Sequence, residues 1–358
     1  MKEGNQIGVD SGEETTNPLA TLTLTKKYAY LPSELEQYFI DNLDNLGYNK
    51  TNDPPGCEIW TNPNVANSYI QAQLHAYNQS LADHTRAINS FEPIHDLLKT
   101  IQDTNSHEVC RTARLEDGVQ NFFSKNILSN TQLAGGSGFV EPLLPPMRHH
   151  GICNNKTKNL MNMNYLVHDF EAMCHNLKPT SRRVLIDMGA SLQFHKKGEN
   201  DNFQPIIWLI KLYEKFGFYF DHIYGFEMKF VQPQDVYGKM IPEEYMESYH
   251  WINIGVEHDE NSKFNPLKSI LRKFNEDDLI IVKLDIDTNS IELPLAQQLL
   301  EDKDGIYVKL IDQFYFEHHV HLQELRPYWR SSMSGTIKDS LELFHGLRKK
   351  GIPAHFWP

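Results

Sequence analysis

Apolar and polar positions follow two different rhythms along this chain. In the second half, short and nearly continuous apolar runs at 184–188, 222–226, 251–256, 279–286, 306–316 and 352–357 read as strands. Helical periodicity falls between them, around 159–176, 203–216, 266–274, 291–301 and 335–350. Strands that are apolar at successive positions bury both faces, so the expectation is an α/β fold, a Rossmann-like parallel sheet with helices on each side. The first half shows two helical patterns instead. One opens at Pro32-Ser33-Glu34-Leu35, with Ser33 as its cap. The other runs over about 67–102 on Ile70, Leu74, Tyr77, Leu81, Ile88, Phe91 and Ile94, and Pro93 is set to break or kink it. Both read as packing helices.

These rhythms divide the chain. Residues 1–18 read as a disordered leader, 19–128 as a mostly helical region, 129–158 as a Gly/Pro-rich connector and 159–358 as the Rossmann-like domain. The connector carries Gly135-Gly136-Ser137-Gly138 and Pro145-Pro146, and its length suits a lid or a substrate-facing segment. Its His149, His150 and Cys153 have a spacing that could ligate zinc, although two further ligands are not evident nearby.

Composition narrows the partners. Hydrophobic residues make up 40% of 358, enough for an ample core, and the formal net charge is -13. That field repels polyanions, so nucleic acid is not the expected partner. No apolar run reaches the ~18–20 residues that cross a bilayer, and the first seventeen residues are polar, so no membrane insertion is expected and the cytoplasm is the default compartment. Four cysteines (Cys57, Cys110, Cys153, Cys174) and sequons at Asn49, Asn78 and Asn155 make a secretory lumen the alternative. The sequence sets no oligomeric state.

Chemistry concentrates at the carboxyl ends of the expected strands, where open parallel sheets bind ligands. The first ends in Asp187-Met188-Gly189-Ala190-Ser191, a small-residue turn that lets a ligand approach the backbone, and the second ends in Glu227, whose carboxylate can accept hydrogen bonds from ribose hydroxyls. The third closes on Gly255, which can leave space for an adenine ring. On the fourth, Lys283, Asp285 and Asp287 alternate and share one face. The fifth runs into Glu317-His318-His319-Val320-His321; an extended chain would point Glu317, His319 and His321 one way, beside Asp285 and Asp287. Those five residues form a candidate divalent-metal set, and Asp285 or His319 could serve as a base.

In order, these motifs resemble the FkbM-type family of S-adenosylmethionine-dependent methyltransferases. The counterparts are Asp187-Met188-Gly189-Ala190-Ser191, Phe226-Glu227, and Val282-Lys283-Leu284-Asp285-Ile286-Asp287 with Glu292 beyond, across roughly 180–358. The resemblance implies that Asp187, Gly189 and Ser191 border the methionine part of the cofactor and that Glu227 holds its ribose. The expected activity is O-methylation of a small molecule or saccharide, with Asp285 or His319 removing the proton. Two other readings compete: a metal-dependent glycosyltransferase built on Asp285-x-Asp287, and a non-catalytic binding module on the same fold.

Overall fold

A computed structural model describes residues 32, 34–89, 150–154, 180–190, 205–215 and 218–357. The expected leader, most of the connector, the helix expected at 159–176, Pro93 and Ser191 lie outside the described residues.

Among the described residues, six strands form one all-parallel sheet: β1 (Arg183–Met188), β2 (His222–Phe226), β3 (Tyr249–Ile252), β4 (Leu279–Leu284), β5 (Gln313–Phe316) and β6 (Ala354–Phe356). Their spatial order is β3-β2-β1-β4-β5-β6. The sequence winds outward from β1 in one direction, then restarts at β4 on its other side, which creates a switch point between β1 and β4. Every residue of these two central strands is buried, as their apolar composition requires. Register then places chemistry side by side. Asp187 lies opposite Lys283, Lys283 opposite Tyr315, and Leu284 opposite Phe316, so the next residues out, Gly189, Asp285 and Glu317, emerge together at the carboxyl edge. At the other edge, Arg182 grips Asp278 at 2.7 Å and Arg183 grips Asp221 at 2.8 Å, fixing the strand starts.

The longer helices are α1 (Glu34–Asn42), α2 (Ser68–Asn89), α3 (Pro205–Lys215), α4 (Asn289–Glu301), α5 (Ile306–Leu310) and α6 (Ile337–Lys350). The last shows why the chain turns helical where it does. Thr336 and Asp339 form a reciprocal capping box at its start, and Gly351, with φ 100°, closes it in the left-handed conformation. The first-half residues do not stand apart from the sheet. Leu35, Phe39, Ile59 and Leu74 belong to the same apolar core as β1 and β4. A buried Glu36–Arg348 pair at 2.8 Å joins α1 to α6, and Glu324 accepts hydrogen bonds from the backbone of Gly56 and Cys57. A Cys57–Cys153 disulfide ties the far end of the connector to this same segment. That bond removes the possible zinc set, since Cys153 offers no thiolate; His149 lies outside the described residues, and His150 packs against Trp60 and His75.

Three strand expectations change. The apolar run 306–316 is two elements, helix α5 and then β5, because Asp302 caps the helix by accepting from Ile306 N and Tyr307 N at 3.1 and 2.7 Å. The run 251–256 yields a strand only to Ile252, and 279–286 only to Leu284, where the chain leaves the sheet to build the site.

Candidate functional site

The carboxyl edge of the sheet is organised around a buried lysine. Lys283 lies at 3.0 Å from both Asp187 and Asp285, with the Trp357 ring 5.3 Å away. Burial alone pulls an ammonium group toward neutrality, but the attraction of Asp187 and then Asp285 overrides it and holds Lys283 above the ordinary lysine value. Burial likewise pushes Asp285 up, and Lys283 prevails, keeping that carboxylate ionised and low. Asp187 commits one oxygen to Lys283, and among the described residues its buried Oδ2 has no hydrogen-bond partner. Gly189 is required beside it: its φ is 94°, and a Cβ there would lie 1.7 Å from the Asp285 carbonyl oxygen.

On the β2 side, Glu227 directs Oε1 to its own loop, accepting from Lys229 N at 2.6 Å. Asn253 locks this loop by donating to the Glu227 and Lys229 carbonyls and accepting from Val231 N. Met228 stands 79% exposed beside it, with Ile254 also exposed at the end of β3. The space over Gly255 is taken by Met228, whose Cγ lies 3.4 Å from where a Cβ would be. Gly255 thus makes room for an apolar side chain at the rim.

The other side of the edge gathers acceptors. Asp287 adopts a left-handed φ of 56°, held by Glu292, which accepts from Ile286 N at 2.7 Å and Thr288 N at 3.1 Å. Glu292 itself is pushed up to about 7, by burial first and then by repulsion from Asp285. Glu317 is raised well above the carboxylate range by burial, by the Asp285 charge and by the hydrogen bond the two carboxyls share. Trp329 Nε1 donates to Glu317 Oε1 at 3.0 Å, and its ring stacks on His319 at 4.6 Å. His319 is 1% exposed. Its Nδ1 meets Ser332 Oγ at 2.7 Å, and that hydroxyl spends its proton on the Trp329 carbonyl. Ser332 must therefore accept from His319, which puts the ring proton on Nδ1 and leaves a lone pair on Nε2.

Asp287, Glu317 and His319 thus come together, with one ligand atom from each lying within 4.8 Å of the others. His321 does not join them. The extended chain ends at Phe316, so the strand alternation that would have aimed His321 inward is lost, and it pairs with Asp53 at 2.8 Å instead. Asp285 also sits behind rather than within the group, bound to Lys283. Trp329 and Ser332, which fix the orientation of His319 and Glu317, carried no signal in the sequence, because they come from a separate turn ten residues downstream. Burial lowers His319 below the usual histidine range, an effect opposed by the Asp287 charge.

No family model matches this chain, and neither a curated protein nor a solved structure does.

Proposed function

We propose that this protein is an S-adenosylmethionine-dependent methyltransferase acting on a hydroxyl of a small molecule or saccharide. The observation that carries the reading is the placement of Asp187 and Glu227 at the carboxyl ends of the adjacent strands β1 and β2, on one side of the β1–β4 switch point beside which nucleotide cofactors sit in open α/β sheets. Glu227 Oε1 accepts from Lys229 N, and its second oxygen is the one the reading gives to ribose hydroxyls, while Met228 and Ile254 offer apolar surface for a flat base. The orphaned Asp187 Oδ2 fits a ligand with hydrogen-bond donors or positive charge, as an amino acid ammonium has. The bound cofactor would supply an electrophilic methyl group; the chain's share is to orient the acceptor and relieve it of a proton. Asp285 is a poor base, since Lys283 neutralises it and holds it ionised. The acceptor hydroxyl belongs at the Asp287, Glu317 and His319 group.

The same ion pair weighs against the glycosyltransferase reading, because Lys283 takes one of the two carboxylates an Asp-x-Asp metal clamp would need. A thermal-shift panel separates the readings. S-adenosylhomocysteine should raise the melting temperature by several degrees. Stabilisation by a nucleotide sugar with Mn2+, and none by S-adenosylhomocysteine, would replace this reading with glycosyl transfer.

We further infer an oxidising compartment from the Cys57–Cys153 disulfide, which supports the secretory lumen over the cytoplasm. Asn49 and Thr51, the ends of one sequon, are both exposed next to a turn.

A further inference from the structure

We propose that Asp287, Glu317 and His319 hold a single divalent cation of the Mn2+ or Zn2+ class, and that its open positions take the acceptor's hydroxyl oxygen. The cation site stands on geometry alone; its role toward the acceptor rests on the methyl-transfer reading above.

Three ligand atoms, from Asp287, Glu317 and His319, face one another, and the Glu317 carboxyl turns its proton to Asp285. His319 Nε2 lies 3.1 Å from Glu317 Oε2 and 3.6 Å from Asp287 Oδ1, within ion-pair distance, yet among the described residues Nε2 makes no hydrogen bond. The nearby donors are already engaged: Lys283 on Asp187 and Asp285, Trp329 Nε1 on Glu317 Oε1, the Glu317 carboxyl on Asp285, and the His319 Nδ1 proton on Ser332. A buried lone pair left without a donor is costly, and a cation between these ligands would satisfy it, releasing the Glu317 proton as it binds. The spacing suits one. Ligands about 2.1 Å from an ion lie about 3.0 Å apart at right angles and about 3.4 Å apart at the tetrahedral angle.

The donor set also indicates the kind of site. One imidazole and two carboxylates match borderline and hard divalent ions rather than thiophilic ones. Three protein ligands leave positions open, as in catalytic sites, and Asp287, 77% exposed, keeps that side accessible to a ligand from solution. Ser332 and Trp329 form the outer support that fixes the histidine tautomer and ring. With a hydroxyl on the cation, its proton is released to solvent more readily. The oxygen then forms the new O–CH3 bond while the S–CH3 bond breaks, its electron pair staying on sulfur.

The test uses the full chain, stripped with chelator and titrated with MnCl2 alone, following the free-ion electron paramagnetic resonance signal. One ion should bind per chain. Asp287→Asn and His319→Gln should each weaken binding at least tenfold, and Ser332→Ala by about ten- to a hundredfold. His321→Ala should bind as the unaltered chain does. Since Asp287 is exposed, its variant should keep the parent melting temperature, so loss of binding there is not loss of fold. No binding at millimolar Mn2+, or unchanged binding in both Asp287→Asn and His319→Gln, would overturn the site. S-adenosylhomocysteine binding, measured in the same metal-free protein, is a separate readout: its failure with Mn2+ binding intact overturns methyl transfer and leaves the cation site standing.

Discussion

At the scale of single residues, the site depends on contacts that tolerate no added or missing atom. Gly189 presses against the Asp285 carbonyl, which is backbone and has nowhere to move. Gly189→Ala should cost more than about 3 kcal/mol in chemical denaturation or abolish soluble protein, a far larger effect than an ordinary surface change. Asp187 and Gly189 were legible in the sequence because a strand, an acid and a small-residue turn form a local pattern. His319 was legible as a residue type but not as a tautomer, since its orientation comes from Ser332 and Trp329, remote in pattern. His318 was less legible still. It is buried, stacked on Phe316, with neither ring nitrogen hydrogen-bonded among the described residues, and pushed down to about 3 mainly by that burial, so it is a neutral packing group. His318→Leu should leave urea stability unchanged or raise it by about 1 kcal/mol. A loss above about 2 kcal/mol would reveal a hydrogen-bond partner that this account lacks.

At the scale of elements, the first turn of α4 carries the pH behaviour. Glu292 reaches back to hold the 286–288 turn, and its carboxyl stands at about 7 against an ordinary 4.5. The folded chain therefore binds this proton more tightly than the unfolded chain. The contribution to stability is full below about pH 4.5 and is lost as the pH rises through about 7, of the order of 3 kcal/mol. In metal-free protein, Glu292→Gln should flatten the stability profile across that window, whatever its effect on absolute stability. An unchanged slope would show that Glu292 is not the group responsible. Elements also show why the sequence misleads. The run 306–316 is apolar enough for one strand, and periodicity cannot separate a buried helix from a buried strand over so few residues. The deciding signal was Asp302, four residues before α5, acting through its cap. The run 251–256 stops early for a similar reason: Asn253 turns aside to tie the Glu227 loop.

At the scale of the whole molecule, the alternation of strand and helix made the parallel sheet readable, while the attachment of residues 34–89 to its core was not, since long-range packing leaves no local pattern. The Cys57–Cys153 bond spans a sequence separation of 96, and reducing it should lower stability by about 2–4 kcal/mol. Native protein from a secretory lumen should also lose mass on treatment with a peptide N-glycosidase, with Asn49 among the converted sites; free thiols at both cysteines and an unmodified Asn49 would return the chain to the cytoplasm. The central claim is that the β1–β2 edge binds the methyl donor, and calorimetric titration of the full chain with S-adenosylhomocysteine tests it directly. Asp187 is unsuitable as the diagnostic variant, because removing it strands Lys283 in the core at a cost of about 3–5 kcal/mol. Glu227 is only partly buried, so Glu227→Ala should keep the fold. One site per chain is expected, weakened at least tenfold in folded Glu227→Ala; no heat of binding at millimolar ligand, or equal affinity in the two proteins, would overturn methyl-donor binding at this edge.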